Sequence, residues 1–297
     1  MVQIRQVLCP LDLSETASTA FDYAALLARW YEARLTVLEM VWVGVPTVPP
    51  ALHPLVLTKE LVRDFSAELQ QFVDEKRPVG VTTDAIVREG PVVAGILEQA
   101  RELSADIIVM GTHGRTGFDK FVLGSVAEKV LQKATCPVLT VPPHNVATPR
   151  SPQAFRTILC AVDFSPASLR ALQYALSLAE ESGKRLVLLH VFDWPTDRPM
   201  IPGLGPEASA ERRHNEEAAL RELRAAVPAE ARLWCNCVEL TAIGRPHEEI
   251  VRVAGDQQAD LIVLGVHSRS GVELALFGST TNQVVRRATC PVLTIRP

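Results

Sequence analysis

The sequence predicts an α/β protein: two tandem, doubly wound domains, each built on a five-stranded parallel sheet. Two observations predict it. The first is internal repetition. Ala134-Thr-Cys-Pro-Val-Leu-Thr140 recurs unchanged as Ala288-Thr-Cys-Pro-Val-Leu-Thr294, 154 residues later. Ala105-Asp-Ile-Ile-Val-Met-Gly111 matches Ala259-Asp-Leu-Ile-Val-Leu-Gly265 at the same offset, and Leu8-Cys-Pro-Leu-Asp-Leu-Ser14 matches Leu159-Cys-Ala-Val-Asp-Phe-Ser165 at 151. The chain is therefore a duplication of a unit of roughly 145 residues. The change of offset puts a net three-residue insertion in the second half, between about residues 190 and 244. The second observation is that short apolar, β-branched runs alternate with longer helix-period segments, which means a parallel sheet covered on both faces.

The first unit shows this order. Val7–Leu11 reads as a strand. Ser14–Tyr31 reads as a helix, with Ser14 as its N-cap and Ala17, Phe21, Ala24, Ala25 and Ala28 on one apolar face. Leu35–Val43 is a second strand, followed by a Pro-rich loop, Gly44–Leu57. Lys59–Glu75 is helical, Val81–Arg88 a third strand, Val92–Leu103 a helix and Asp106–Met110 a fourth strand. A glycine-containing loop leads to a helix at Ser125–Lys133 and a last strand at Val138–Val141. The second unit repeats the order, with its own Pro/Gly-rich loop at Pro195–Pro206. Between them, Pro142–Pro152 carries four prolines and no apolar period, which predicts an extended connector. The expected domains are residues 1–143 and 156–297, with a linker at 144–155.

Composition excludes several classes. Hydrophobic residues make up 47% of the 297 and charged residues 22%, enough to bury a core. A net charge of −4 argues against a dedicated nucleic-acid binder, which needs a basic surplus. No run of about 18 apolar residues predicts a membrane span. Arg5 stands where a signal peptide needs an apolar run. Six cysteines do not make a disulfide scaffold, so a reduced, cytoplasmic protein is expected.

In a doubly wound sheet, ligands bind beyond the carboxyl ends of the strands at the switch point. Two places matter here: Pro10–Asp12 after strand one, and Gly111 after strand four. From Gly111 the chain reads Gly-Thr-His-Gly114-Arg-Thr-Gly-Phe-Asp-Lys-Phe-Val-Leu-Gly124-Ser125. Glycines there let backbone N–H groups approach a ligand, and the helix opening at Gly124-Ser125 offers unpaired N–H groups and a positive dipole end to an anion. The same residues also suit an ordinary strand-to-helix turn, so spacing alone leaves both readings open. The lysine-bearing phosphate loop of the Walker type is missing, as is a Gly-x-Gly-x-x-Gly after either first strand.

The loop resembles the ATP-binding signature of the universal stress protein family, Gly-x2-Gly-x9-Gly-Ser/Thr. The resemblance extends to Asp12 with Ser14-Glu15-Thr16-Ala17, to Gly90 and its counterpart Gly244-Arg-Pro-His-Glu-Glu-Ile250, and to Cys136-Pro-Val-Leu. It covers nearly the whole chain and implies a tandem member with the adenine nucleotide alpha hydrolase-like, flavodoxin-like sandwich. It further implies ATP with Mg²⁺ as ligand. Asp12, beside the Pro10 and Leu11 backbone, would meet ribose or base. Met40 would line adenine, and Met110 and Gly111 would lie under the ribose and phosphates. His113, Gly114 and Arg115 would border the phosphates, and Gly124, Ser125 and Val126 would bind their oxygens. In the second unit the matching positions are Asp163, Val191, Gly265, His267, Arg269, Gly278, Ser279 and Thr280. Ser268 replaces the second glycine, a handicap if that position needs positive φ, or a hydroxyl donor to phosphate.

Other residues have plainer readings. Cys9, Cys160, Cys136 and Cys290 suit small buried hydrophobes better than redox pairs. Cys235-Asn-Cys237 shares a strand face without the spacing of a zinc site. His113 and His267 suit loop hydrogen bonds, His190 a structural role, and Arg212-Arg213 a solvated face. The final strands, Pro137–Val141 and Pro291–Ile295, invite edge pairing. The resemblance implies that they pair antiparallel, within a pseudo-dimer of the two units or in a homodimer. The expected function is a nucleotide-linked stress-response regulator. The alternatives are a slow ATPase or phosphotransferase, and a scaffold with a degenerate second site.

Overall fold

The structure is a computed structural model that describes residues 2–41, 59–76, 78–112, 123–143, 155–182, 185–193, 206–266 and 278–296. Both Pro-rich loops, the linker and the central parts of both glycine loops lie outside these residues. The chain divides into two compact units, Gln3–His144 and the remainder.

The first unit runs β1 (Gln6–Leu11), α1 (Glu15–Trp30), β2 (Arg34–Val41), α2 (Lys59–Lys76), β3 (Thr83–Glu89), α3 (Val92–Glu102), β4 (Ile107–Gly111), α4 (Ser125–Lys133) and β5 (Val138–Val141). Its strands are parallel, in the order β3-β2-β1-β4-β5. Right-handed crossovers then put α1 and α2 on one face and α3 and α4 on the other. Accordingly α1 packs on β1 and β4, α2 on β3, and α3 on β2 and α4.

The central strands are apolar because helices cover both their faces. Val7, Leu8 and Cys9 in β1 and Leu35, Val37 and Leu38 in β2 are fully buried. Each such aliphatic side chain contributes about 1.5–3 kcal/mol. The face of α1 that meets the sheet is made of small residues, Ala20, Ala24 and Ala28, with Phe21 filling the gap towards α2, where it meets Phe72 edge-on at 5.4 Å. The side chain of Ala17, also expected on this face, lies outside the described residues. Lys76 ties α2 back to Asp22 of α1 at 3.2 Å.

The second unit runs β6 (Thr157–Ala161), α5 (Pro166–Ser182), β7 (Arg185–Asp193), α6 (Pro206–Ala226), α7 (Ala231–Trp234), β8 (Asn236–Gly244), α8 (Pro246–Asp256), β9 (Leu261–Gly265), α9 (Ser279–Arg287) and β10 (Val292–Ile295). Its sheet has the same parallel order, β8-β7-β6-β9-β10. The short α7 has no counterpart in the first unit, where a turn at Pro78–Val81 joins α2 to β3. It falls within the stretch to which the change of repeat offset assigns extra residues.

Two devices recur in both units. Asp106 accepts the N–H groups of Arg5 and Gln6 at 2.7 and 2.9 Å, and Asp260 accepts that of Thr157 at 3.0 Å. Each aspartate thus pins the start of its unit's first strand beside the fourth. Helices α1, α3 and α8 end through left-handed residues that are not glycine, Glu32, Ser104 and Gln258, each followed by a six-to-one hydrogen bond: Ala33 to Ala28, Ala105 to Ala100 and Ala259 to Ala254.

Candidate functional site

In each unit the strand order turns back between the first and fourth strands, so the crevice beyond their carboxyl ends is the switch point. In the first unit Val7 and Leu8 pair with Ile107 and Ile108. Continuing that register sets Leu11 level with Gly111. Pro10 and Leu11 close β1, Asp12 follows, and Met110 and Gly111 close β4.

The turn out of β1 is fixed by Asp12. Its Oδ1 accepts the Ser14 hydroxyl at 2.6 Å and the Ser14 N–H at 3.2 Å, while Leu13 between them sits at φ 55°. A branched side chain in the left-handed region is costly unless its surroundings impose it. The second unit repeats the device: Asp163 Oδ1 accepts from Ser165 Oγ at 2.6 Å and from its N–H at 3.1 Å, with Phe164 at φ 61°. Ser165 then caps α5, accepting the Ser168 N–H at 3.2 Å, and Pro166 opens the helix. In both units the aspartate organises the turn from which any ligand contact would be made.

Beyond β4 the loop is clipped at its ends. Gly124 donates its N–H to the Thr112 carbonyl at 2.8 Å, and Thr112 donates its own to Val141 at 2.9 Å. The start of α4 is therefore held against the exit of β4. Gly124 is the N-cap (φ −59°, ψ 142°), and no side chain caps the helix. Gly278 caps α9 in the same way (φ −52°, ψ 140°), again without a side-chain bond. Glycine offers no side-chain oxygen to the first N–H groups, so neither helix is capped by its N-cap residue, although α4 carries the acidic Glu128 in its first turn. Ser125 and Ser279 are exposed, and Val126 and Thr280 are half-buried in the same first turns.

The remaining expected residues are less uniform. Met40, paired with Arg88 near the end of β2, lays its terminal methyl where a Cβ on Gly95 of α3 would stand. Its counterpart Val191 lies in β7, paired with Ala242. At Gly265 an added Cβ would come within 2.4 Å of the Ala167 and Ser168 backbone, so the first turn of α5 rests directly on that glycine. This is a packing reason for a residue expected to serve phosphate. Gly90 and Gly244, before α3 and α8, have φ of 138° and 152°, which only glycine adopts without strain. His113, Gly114, Arg115, His267, Ser268 and Arg269 lie outside the described residues.

The units differ at the ends of their first two strands. His190 Nδ1 lies 2.8 Å from the Val162 carbonyl, and its ring sits between Phe164 (4.9 Å) and Phe192 (4.8 Å). The first unit has Leu13, buried Glu39 and Val41 at the equivalent places. The sequence reading of His190 as structural agrees with this, although its aromatic neighbours were not foreseen. Thr112 was also missed, because its contribution is a main-chain bond that no side-chain pattern signals.

Away from the crevice, Cys9, Cys160 and Cys290 are buried and Cys136 half-buried. Burial pushes their thiols up, those of Cys160 and Cys290 to about 12 and that of Cys136 to about 11. Among the described residues no three His, Cys, Asp or Glu side chains gather as a metal site, and no helix is long and apolar enough to cross a membrane.

The chain was compared with known proteins. The sequence profile of the universal stress protein family matches it twice, over residues 3–142 and 154–296. A universal stress protein of Mycolicibacterium smegmatis is 28% identical, over 98% of this chain and 97% of its own. One of Mycobacterium tuberculosis is 27% identical, over 98% and 96%. The crystal structure of a universal stress protein from Archaeoglobus fulgidus superposes with a TM-score of 0.69 at 22% identity, covering 99% of both chains, a likeness of fold. Both halves therefore carry the same family's fold, and the chain belongs to the universal stress protein family as a tandem pair of its domains.

Proposed function

We propose that this chain is a nucleotide-linked regulatory protein whose units each take an adenine nucleotide, ATP with Mg²⁺, at the carboxyl ends of the first and fourth strands. The observation that carries this is the glycine-capped start of α4, whose Gly124 bonds the Thr112 carbonyl at the exit of β4 at 2.8 Å; a glycine, Gly278, also caps α9. A helix start at a switch point, whose N-cap glycine has no side chain to answer its N–H groups, suits a phosphate group. Gly124, Ser125 and Val126 would hold phosphate oxygens, as would Gly278, Ser279 and Thr280. Asp12 and Asp163 would meet the ribose or base, with Pro10, Leu11, Met40 and Val191 as neighbours. Met110, Gly111 and Gly265 would lie beneath the nucleotide. His113, Gly114, Arg115, His267 and Arg269 would close the loop over the phosphates. Mg²⁺ would enter with the phosphates and neutralise part of their charge. A ligand that binds one arrangement of these loops more tightly shifts the population towards it, which is the regulatory output.

A one-site version has its own support. The ring cluster of Phe164, His190 and Phe192 gives the second unit a different surface at its strand ends, and Gly265 already has a packing role. The test is nucleotide extracted from the purified chain, followed by calorimetric titration with Mg-ATP. Two per chain supports both sites. One per chain supports the first unit alone, with binding lost in Gly124→Val and kept in Gly278→Val. ADP in the extract directs attention to hydrolysis. No nucleotide and no heat of binding refutes the proposal and leaves a scaffold. The same reading has the units pair through β5 and β10, within one chain or between two, and sedimentation of the full chain distinguishes these.

A further inference from the structure

Cys235 and Cys237 stand apart from the other four cysteines. They lie where α7 runs into β8, at the edge of the unit's sheet opposite β10. Cys235 is the residue after α7 (φ −120°, ψ 131°) and Cys237 the second residue of β8. Extended backbone puts side chains two apart on one face, and the two thiols hydrogen-bond each other. Glu239 continues that face. Arg232 of α7 reaches over it, bonding Glu239 Oε1 at 2.5 Å and the Arg224 carbonyl at 3.0 Å. Cys235 is buried, Cys237 half-buried, and their neighbours Leu233 and Trp234 are exposed, so the pair lies just beneath the surface. The first unit has Val81 and Thr83 at the matching positions, so this pair belongs to the second unit alone.

We infer that Cys235 and Cys237 form a reactive dithiol, a site of reversible oxidation by hydroperoxides that is separate from the nucleotide crevice. The Cys237 thiolate attacks the outer oxygen of the hydroperoxide. The O–O bond breaks, the remaining fragment leaves as alcohol or water after taking up a proton, and Cys237 becomes a sulfenic acid. The Cys235 sulfur then attacks the Cys237 sulfur. The S–O bond breaks, and the departing hydroxide leaves as water with the proton that Cys235 gives up. Two thiols are oxidised by two electrons and one hydroperoxide is reduced; a small thiol returns the pair to its starting state by exchange.

The chemistry of the pair supports these roles. The Cys235 thiol donates to Cys237, and the Arg232 charge helps, so Cys237 is held below the ordinary thiol value against burial and Glu239. The partner thiol is pushed up because it is that hydrogen bond's donor. At pH 7 a larger share of Cys237 is then thiolate than in an ordinary cysteine. Two residues of extended chain span about 6.4–6.8 Å between Cα atoms, the upper end of what a disulfide accepts. A bridge there is strained and readily reduced, as a reversible site requires.

The test uses the full chain with a few equivalents of hydrogen peroxide. Remaining thiols are then alkylated under denaturing conditions, and the tryptic peptide that begins at Leu233 is weighed. The expected result is a peptide lighter by two hydrogens and unalkylated, restored by dithiothreitol, while the buried cysteines are alkylated in full. In Cys235→Ser the resolving step is lost and a sulfenic acid at Cys237 is trapped by dimedone. In the untreated chain, alkylation of Cys237 follows a pH profile with its midpoint below that of an ordinary cysteine and slows several-fold in Arg232→Gln. Oxidation of Cys237 no faster than of Cys136, or oxidation to a sulfinic acid without a bridge, overturns the inference.

Discussion

Gly265→Ala separates a packing role from a ligand role at one atom. The added Cβ would stand 2.4 Å from the Ala167 carbonyl carbon and the Ser168 nitrogen, and 2.7 Å from the Ala167 oxygen. Carbon contacts are comfortable from about 3.5 Å, so roughly 1 Å must open between β9 and the first turn of α5. These partners are backbone, and Ser165, Ser168 and Asp163 bond that turn to the end of β6. No side chain can swing aside. Overpacking of this kind costs about 1–3 kcal/mol, and a rigid neighbour puts this case near 3. For a unit of this size that is a fall of roughly 6–12 °C in melting temperature. The comparator is Gly255→Ala in α8, which meets nothing within 4 Å and gains about 0.5–1 kcal/mol of helix propensity. Calorimetric melting of both variants without nucleotide, with hydrogen exchange of the β6 and β9 peptides to identify the unit, measures the difference. An unchanged melting temperature for Gly265→Ala refutes the packing argument. A loss seen only with nucleotide present would assign the glycine to the ligand instead.

Two further substitutions test the turn and the surface. Asp12→Ala removes both bonds that hold Ser14 around left-handed Leu13 and should cost about 1–2 kcal/mol in urea unfolding, with Asp12→Asn costing less because an oxygen acceptor remains. Asp84 is held below its ordinary value by the Arg34 guanidinium, whose Nη2 bonds it at 2.9 Å. A carboxyl depressed on folding adds stability above its unfolded value of 3.8 and loses it as pH falls through the lower folded value. Asp84→Asn should therefore flatten the acid limb of the stability profile below about pH 4. The effect is small and fades with salt, because both side chains are partly exposed. Acid titrations of the two proteins at low and high salt measure it.

The repeat, the strand–helix alternation and the apolar strands are local properties of the chain, so the sequence alone determined the fold class and placed the switch point at Asp12 and Gly111. A buried parallel strand must be apolar on both faces, and a helix start needs its own signal, whatever the rest of the molecule does. Contacts between residues far apart were not legible in this way. Asp106 reads as the polar start of a strand, yet its carboxylate bonds Arg5 and Gln6, about a hundred residues away. Glu32, Ser104 and Gln258 end helices in the left-handed region without glycine, because the six-to-one bond compensates the strain once the next strand fixes the chain's direction. Gly265 reads as a ligand residue in the sequence, and the fold adds that α5 rests on it; Thr112 carries no side-chain pattern, and its carbonyl receives the Gly124 N–H. Cys235-Asn-Cys237 showed only its alternation. Its chemistry comes first from the hydrogen bond between the two thiols and then from Arg232, brought over them by a short helix that fills the place of the first unit's turn, and only the folded chain puts these groups together.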